Sequence, residues 1–369
     1  MESRRINDDK DVMQQSEQRE LPHELIIEMI LTRLPIKSIL RFKSVSKLWY
    51  SNLSSSLFAS AHLNFHNPSP ATESLLIRNR NKFQIMSYEN REIDLVNIEF
   101  DFDVGGEKMD LVGTCNGLVC LGSSSGRLSI VWNPITRDFR KYFDSEFFGP
   151  QCLVYWGFGY VSAMVDYKIV RLCKNMSTDS LTVHVYSIRL NTWKIIDNDV
   201  YDDTSHLRNP VLIRISGVLV NETLYWRLPG TNFSFNLVSE TLDTFSYLKV
   251  SNDDEYIDKL LFVVNGCLSM YGNSFMSGHN FTIMKSSDVI EQIVVPRNLA
   301  KSMHCGGTLI GFTRSDKIFT QYLACLGVID LTLRPLNITP LMNLEKSGKT
   351  EICSYCASLI WLDRSPCYI

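Results

Sequence analysis

The sequence of 369 residues has no long hydrophobic run and no strong excess of charge of either sign. No stretch approaches 18 consecutive apolar residues, the length at which a membrane-spanning helix is expected. Residues 1–20 are too polar for a secretory signal and are predicted to form a disordered tail. A net charge of −3 gives no reason to expect a nucleic-acid or anionic-membrane partner. These absences predict a protein of the cytoplasm or nucleus.

Cysteine is present but not concentrated. The ten cysteines are spread along the chain without the dense spacing of a disulfide scaffold, which indicates a reducing compartment. Cys353 and Cys356 have the spacing of half a zinc site, but there is no second cysteine pair, and His62 and His66 precede them by about 290 residues. A structural zinc site needs four ligands. We therefore expect no metal site, and two small buried residues on a strand instead.

Three short motifs resemble catalytic or nucleotide-binding signatures, but each has the wrong context. Residues 122–126 match G-x-S-x-G, yet the following RLSIVW is a predicted strand, whereas a nucleophile elbow needs a helix there. Residues 343–350 resemble the end of a phosphate-binding loop, with Asn343 where its first glycine belongs. Residues 157–159 lack the third glycine of a dinucleotide site. The sequence therefore predicts no catalytic residues and no cofactor.

Residues 21–66 have the apolar periodicity of short helices. Pro22 fits the first turn of a helix and Pro35 ends it. Between them, an apolar surface covers roughly two thirds of the helix circumference, wider than on an ordinary surface helix. Two further short helices are predicted before residue 66, with Ser44 or Ser46 as an N-cap. So small a unit buries little surface of its own, so we expect its apolar residues to be covered by the rest of the chain and by a partner.

This segment resembles an F-box, in particular the plant form that reads RLPVKSLLRFKCVSKSW. The matching positions are Leu21-Pro22, Glu24-Leu25, Ile30-Leu31, Arg33-Leu34-Pro35, Ser38, Arg41-Phe42, Val45-Ser46-Lys47 and Trp49. The resemblance implies binding to a Skp1-like adaptor and, indirectly, to a cullin and a RING subunit. It places at the adaptor interface Leu21, Pro22, Leu25, Leu34, Pro35, Leu40, Val45 and Trp49. The alternative is a three-helix cap packed on the rest of the chain.

A turn-rich linker at 67–72 leads into residues 73–369, where the apolar period changes to two, as in strands. An apolar strand followed by a polar turn recurs at steps of 46, 54, 49, 49 and 45 residues, aligned on Ser87, Asn133, Ser187, Asn236, Lys285 and Asp330. Four strands in about 45–50 residues make one propeller blade. We predict an all-β domain, a β-propeller of six or seven blades, which a strand from residues 352–363 closes. A two-sheet β fold and a solenoid are the alternatives.

The β region resembles the F-box-associated domain of plant F-box proteins, from about residue 75 to 362. The resemblance rests on GTCNGLVCL, VWNPITRDFRKY, GFGYVSAMVDYKIVRL, VYSIRLNTWK and SGVLVNETLYW. Two departures are Tyr160, where the family usually has aspartate, and Asn221-Glu222 in place of Asn-Gly, which predicts a different hairpin turn. The resemblance implies a non-catalytic adaptor that recruits a protein substrate to an SCF ubiquitin ligase for proteasomal degradation. Some relatives act in pollen self-incompatibility, but nothing in this chain singles out that pathway.

The connections between blades are acidic in two successive repeats, and they should emerge on one face of the ring. The carboxylates proposed to bind substrate are Asp197, Asp199, Asp202, Asp203, Asp253, Asp254, Glu255 and Asp258, and the preceding connection adds Asp144 and Glu146. Such a patch would attract a basic protein target. The alternative is that these acids only keep the face soluble. A different function also stays open: a sugar-binding, ligand-binding or enzymatic propeller with an unrelated helical leader.

Overall fold

The computed structural model describes most of the chain in eighteen segments. These are residues 25–66, 74–89, 92–99, 103–147, 152–175, 177–178, 180–196, 216–228, 231–245, 256–264, 266–274, 278–285, 288–295, 308–312, 317–322, 325–330, 338–344 and 350–362. The predicted tail and linker lie outside them, so those boundaries stay predictions. Within these segments, no helix is long and apolar enough to cross a membrane.

Residues 25–66, called the helical module below, are mostly helical. Their elements are a π-helical turn Ile26–Ile30, a 3-10 turn Leu31–Arg33, and the helices α1 Ile36–Phe42, α2 Lys47–Leu53 and α3 Ser56–His66. The predicted first helix is therefore irregular where it is described. The Thr32 hydroxyl donates back to the Glu28 carbonyl at 2.6 Å, a bond that competes with regular helix geometry.

The ends of these helices follow from their sequence. Leu34 is extended, with φ −83° and ψ 150°, as expected before a proline, and the first helical segment ends there. Ser46 caps α2, because its hydroxyl accepts from the Trp49 amide at 3.1 Å. The sequence does not predict helix α3 as a separate element. In the structure, this helix holds the end of the first helical segment. His62 of α3 donates from Nε2 to the Leu34 carbonyl at 2.9 Å. This carbonyl lies at the end of the first helical segment, where the helix itself provides no donor.

The remaining described residues form six four-stranded antiparallel sheets, which confirms an all-β domain. The strands are β1 Ser74–Asn79, β2 Lys82–Glu89, β3 Glu92–Ile98, β4 Met109–Cys115, β5 Leu118–Ser123, β6 Leu128–Trp132, β7 Phe139–Phe143, β8 Cys152–Val161, β9 Asp166–Asn175, β10 Leu181–Ser187, β11 Thr192–Ile196, β12 Val218–Val220, β13 Thr223–Arg227, β14 Asn232–Asn236, β15 Thr241–Phe245, β16 Tyr256–Val264, β17 Cys267–Ser274, β18 Gly278–Lys285, β19 Asp288–Val295, β20 Thr308–Phe312, β21 Lys317–Tyr322, β22 Cys325–Asp330, β23 Ile338–Asn343 and β24 Thr350–Tyr355. The first blade is β24-β1-β2-β3, and blades two to six follow in chain order from β4 to β23.

The blades form a closed ring. The first strand of each blade contacts the first strand of the next, in the order β4, β8, β12, β16, β20, β24 and back to β4. Closure comes from the predicted C-terminal strand, since β24 pairs with β1 from Ser74 opposite Tyr355 to Asn79 opposite Thr350. The described residues therefore make a six-bladed propeller, the lower of the two predicted blade numbers.

The repeats seen in the sequence are the hairpins between the third and fourth strands of all six blades. The aligned residues lie at or beside the end of the third strand, as Asn133 does after β6 and Asn236 at the end of β14. In these two turns the asparagine side-chain oxygen accepts from the amide two residues on, at 2.8 and 2.9 Å. The repeat was visible because this turn chemistry is local.

The glycine motifs have structural roles. Residues 122–126 span the turn between β5 and β6, which confirms a hairpin. Gly157 lies within β8, where a Cβ atom would approach Leu224 of the neighbouring blade to 2.5 Å. This close approach explains a glycine there without any nucleotide.

The hairpin turn at Asn221-Glu222 contradicts the prediction from the sequence. Replacing Asn-Gly by Asn-Glu was expected to change the turn type, but it does not. Both residues have positive φ, 48° and 60°, and they join β12 to β13 as a two-residue turn, the type I′ geometry that Asn-Gly favours. The Glu222 carboxylate accepts from both the amide and the hydroxyl of Ser162, each at 2.7 Å, and these bonds lower its pKa. This anchoring offsets the strain of a left-handed glutamate.

Antiparallel blades in a ring divide the loops between two faces. On one side, here called the hairpin face, the first strand joins the second and the third joins the fourth, as at residues 116–117 and 133–138. On the other side, here called the connection face, one blade ends and the next begins, as at the end of β7 and the start of β8. The strand β1 starts, and β24 ends, at the hairpin face. The helical module therefore enters the propeller from that face.

Candidate functional site

The helical module packs on the hairpin face of the first two blades. Its core includes Leu359, which follows the closing strand. Lys37 lies 3.8 Å from Asp94 at the start of β3. Burial lowers the pKa of Lys43, and the nearby Asp138 carboxylate, in the β6–β7 turn, partly offsets this. Among the described residues, these contacts involve the hairpin face and not the connection face.

The helical module carries a high density of exposed apolar side chains. Of the nineteen large apolar side chains that are exposed in the described residues, nine lie in this short module. They are Leu25, Met29, Ile30, Leu40, Val45, Leu48, Tyr50, Leu57 and Phe65. Val45 and Leu48 are 60% and 57% exposed. Clustered exposed apolar residues mark a surface for another protein.

The residues predicted at the adaptor interface fall into three groups. Leu21 and Pro22 lie outside the described residues. Leu25, Pro35, Leu40 and Val45 are exposed and so available for contact. Leu34 and Trp49 are half-buried against the module's own core, and the Trp49 ring meets Phe42 edge to face at 5.6 Å. These last two residues therefore stabilise the module, and their contact with an adaptor stays a prediction.

Most of the predicted acidic face lies outside the described residues. This holds for Asp197, Asp199, Asp202, Asp203, Asp253, Asp254 and Glu255. Asp258 lies near the start of β16, the first strand of the fifth blade, on the side of the connection face. The prediction that Asp144 contributes to an acidic patch is wrong. Its carboxylate pairs with Arg171 at 2.5 Å and so adds no free charge. Glu146 is exposed, as the predicted patch requires.

A pocket of about 590 Å³ opens at the connection face, between the second and third blades. One wall is the connection after β7, and the other is the outer half of the third blade. The lining residues are Phe143, Asp144, Ser145, Glu146, Phe147, Cys152, Cys173, Thr182, His184, Trp193 and Ile195. Phe143 and Ile195, on opposite walls, are 60% and 59% exposed. This is the size and mixed lining of a ligand site.

The guanidinium of Arg171 lies beneath this pocket and is completely buried. It donates to the Gly126 carbonyl at 2.6 Å and to Asp144, and it lies between the rings of Trp193 and Phe147, 3.8 and 4.2 Å from their centroids. Burial lowers the pKa of Arg171, and the bond to Asp144 opposes that shift. The arrangement joins the second and third blades and shapes the pocket's inner end.

The titratable groups of the pocket are poorly suited to acid–base or nucleophilic chemistry. Burial, with a further contribution from the Arg171 charge, lowers the pKa of His184 to about 4, so the imidazole is neutral near pH 7. Burial raises the pKa of the Cys173 thiol to about 12 and also raises that of Cys152. A thiol with a raised pKa is a weak nucleophile.

Removing Asp144 should destabilise the propeller, because it leaves a fully buried guanidinium without its counter-charge. Loss of one partner of a buried pair costs roughly 3–5 kcal/mol. We expect Asp144→Ala to lower the midpoint of thermal unfolding by several degrees, and the double variant Asp144→Ala with Arg171→Met to recover part of that loss. Thermal unfolding followed by circular dichroism measures both. A double variant no more stable than Asp144→Ala would show that the unpaired charge is not the cause.

The sequence reasoning did not find this pocket. Arg171 and Asp144 are 27 positions apart, and Trp193 belongs to yet another strand. Each of them has an ordinary strand or turn context in the sequence. In the sequence, only the acidic residues Asp144 and Glu146 offer a signal, and they predict an acidic connection between blades. The ring order decides which connection faces which blade.

The weak metal and phosphate motifs acquire no support. Among the described residues there is no group of three or more histidine, cysteine or acidic side chains that could hold a metal ion. Cys353 is buried on β24, and Cys356 is half-buried just after it. The segment from 343 to 350 leads into β24, which is a strand, whereas a phosphate-binding loop leads into a helix.

Two protein-family models match this chain, and their domains agree with this architecture. Residues 76–295 match a family described as the F-box associated beta propeller domain, and residues 19–59 match the F-box domain. An F-box/kelch-repeat protein from Arabidopsis thaliana is 30% identical over 68% of this chain and 72% of its own length. The F-box protein CPR1 from Arabidopsis thaliana is 29% identical over 72% of this chain and 69% of its own length. A solved chain from a nidogen/laminin complex has a TM-score of 0.43 and 9% identity, over 77% of this chain and 99% of that chain.

Proposed function

Because the chain belongs to the plant F-box proteins that carry an F-box-associated β-propeller domain, we propose that it recruits a protein substrate to an SCF ubiquitin ligase. Its general role is that of an SCF substrate adaptor. The finer proposal is that the helical module binds a Skp1-like adaptor, and through it a cullin and a RING subunit. The observation that carries this proposal is the number of apolar side chains that stay exposed on a module whose core already packs on its own propeller.

The proposed adaptor interface combines residues from two sources. Leu21, Pro22, Leu25, Leu34, Pro35, Leu40, Val45 and Trp49 come from the family resemblance. The exposed Met29, Ile30, Leu48 and Tyr50 are added from the structure. Co-expression tests the proposal: the full chain should co-purify with a Skp1-like adaptor and then join a cullin–RING complex. Failure of the folded chain to capture the adaptor would contradict it.

We place the substrate on the connection face, away from the adaptor. The module enters from the hairpin face, so a target held on the opposite side does not compete with the adaptor for space. The pocket between the second and third blades would accept an apolar or aromatic side chain of the target, since Phe143, Trp193 and Ile195 line it. The role includes no chemistry by this chain. It would act in the cytoplasm or nucleus, where the eight described cysteines can remain free thiols.

The acidic connections are proposed to favour a basic target. Strand β11 carries Trp193 and Ile195 of the pocket wall and ends at Ile196, and the acidic segment 197–203 is the next stretch of the sequence. Carboxylates near a docking surface speed the association of basic partners and make it depend on salt. The alternative is that the acidic residues only keep this face soluble. It predicts that target binding does not depend on salt through these residues.

Charge reversal distinguishes the hypothesis of a basic target from the hypothesis that the acidic residues serve solubility alone. The target is first identified by affinity capture with a proteasome inhibitor present, followed by mass spectrometry. The variants Asp202→Lys with Asp203→Lys, and separately Asp254→Lys with Glu255→Lys, should then weaken target binding about tenfold at low salt and less at high salt. Asp243→Lys, at an exposed position on the outer strand β15, is the control. Equal affinity and salt slope in all variants would remove the acidic face from the proposal.

A further inference from the structure

The last described residues of the chain do not leave the propeller after the ring is closed. Strand β24 ends at Tyr355 on the hairpin face, and residues 356–362 continue across the second blade beneath the helical module. A tail that served only to close the ring would need no contacts beyond β24. These seven residues, called the clasp below, make specific contacts on both sides.

On the propeller side, the clasp is held by hydrogen bonds from two turns of the second blade. The fully buried Asn133 donates from Nδ2 to the carbonyls of Ser358 and Ile360, at 3.1 and 2.5 Å. Ser358 in turn donates from its hydroxyl to the Asn116 carbonyl at 2.6 Å. Gly117 has φ +79°, and a Cβ atom there would lie 2.2 Å from the Ser358 hydroxyl oxygen. Blade two is therefore shaped to receive this segment.

On the module side, the clasp contributes a core residue. Leu359 is 1% exposed and packs in one cluster with side chains from every helical part of the module. The buried members of that cluster are Leu31, Ile39, Leu53, Phe58, Ala59 and Leu359. Among its buried members, Leu359 is the one that comes from outside residues 25–66. The helical module thus completes its core with a residue about 300 positions away.

We propose that residues 356–362 are a structural part of the adaptor-binding module and hold it in one orientation on the propeller. A helical unit of about 40 residues buries too little surface to be firmly folded alone. With Leu359 in place, the module's core is filled, while nine of its large apolar side chains stay exposed. The clasp thereby couples the extreme C-terminal part of the chain to adaptor binding and sets the angle between adaptor and substrate.

Truncations at two positions test the capture of the adaptor, a readout that rests on the proposed function. Truncation after Tyr355 removes the clasp but keeps β24, whereas truncation after Leu362 keeps both and is the matched control. We expect the first to bind a purified Skp1-like adaptor at least tenfold more weakly than the full chain, and the control to bind equally well. Leu359→Asp should reproduce the loss, and Leu359→Ala a smaller loss in the same direction. Wild-type affinity in Leu359→Asp would overturn the proposal.

A second readout needs no adaptor and so separates this proposal from the proposed function. A protease site replaces residues 67–73, and the cleaved full-length protein is passed over a sizing column. We expect the module and propeller fragments to co-elute in the wild type and to separate with Leu359→Asp, while the strand signal in circular dichroism is kept. Separation of the wild-type fragments would overturn the clasp. If full-length wild type fails to bind the adaptor but its fragments co-elute, the clasp stands and the adaptor assignment falls.

Discussion

Replacing Val45 and Leu48 together by aspartate should lower the affinity for a Skp1-like adaptor by at least about 100-fold. Full burial of one large apolar side chain is worth roughly 1.5–3 kcal/mol, and 100-fold corresponds to about 2.7 kcal/mol. Two buried carboxylates without partners add a further penalty. Both native side chains are more than half exposed, at 60% and 57%, so the change should leave the module folded. Calorimetric titration of the purified adaptor into the full chain measures the loss.

The control for this experiment is Ile195→Asp. Ile195 is 59% exposed, the same as Val45 within a per cent, but it lies on the outer strand of the third blade. The Ile195→Asp variant should bind the adaptor with the same affinity as the wild type. Trp49→Ala is a less decisive variant, since Trp49 also packs on Phe42 and its loss affects folding. An unchanged dissociation constant for Val45→Asp with Leu48→Asp would place the adaptor elsewhere on the chain.

Truncation before β24, after residue 349, should abolish cooperative folding of the propeller. The strand supplies six register pairs to β1, so without it the first blade loses its innermost strand and the ring has no closure. Glu351 on this strand pairs with the largely buried Arg78 at 2.6 Å and also accepts from the Leu111 amide of the second blade at 3.2 Å. Removing the strand therefore breaks the first blade and its junction with the second. We expect a broad thermal transition at a far lower temperature.

Two substitutions at Tyr355 test whether the packing of β24 causes this stability. The side chain is 1% exposed, so Tyr355→Ala should cost roughly 3–5 kcal/mol and lower the unfolding midpoint by several degrees. Its buried hydroxyl has no hydrogen-bond partner in the part of the chain that is described, so Tyr355→Phe should be neutral or slightly stabilising. Differential scanning calorimetry compares the two. If both substitutions destabilise the protein equally, or if neither does, then packing of this strand is not what stabilises the closed ring.

The six repeats and the helical module were readable from the sequence because their signals are local. The turn after each third strand is set by residues within a few positions, such as Asn133 and the two amides that it accepts from. The cap Ser46 and the stop at Pro35 are equally local. Closure by the C-terminal strand was predictable as well, because a propeller needs one and the last apolar segment was left over. Local chemistry thus determined the element types and the ring.

Two expectations from the sequence are wrong because each depends on a contact with a neighbouring blade. The Asn221-Glu222 turn was expected to change type without glycine, yet Ser162 of the neighbouring blade holds the glutamate in place. Asp144 was counted as a free acidic charge, yet it neutralises Arg171. In both cases the deciding partner comes from another blade. A sequence window cannot contain such a partner.

What the sequence by itself determined is a short helical module that resembles an F-box, followed by an all-β propeller of repeated four-stranded units. Tertiary structure alone decided which surfaces remain free. Leu359 fills the module's core from the far end of the chain, and Arg171 joins two blades beneath a pocket. The physical reason is ring closure. It brings residues that are tens to hundreds of positions apart into contact, at distances set by blade order and strand register rather than by any pattern along the chain.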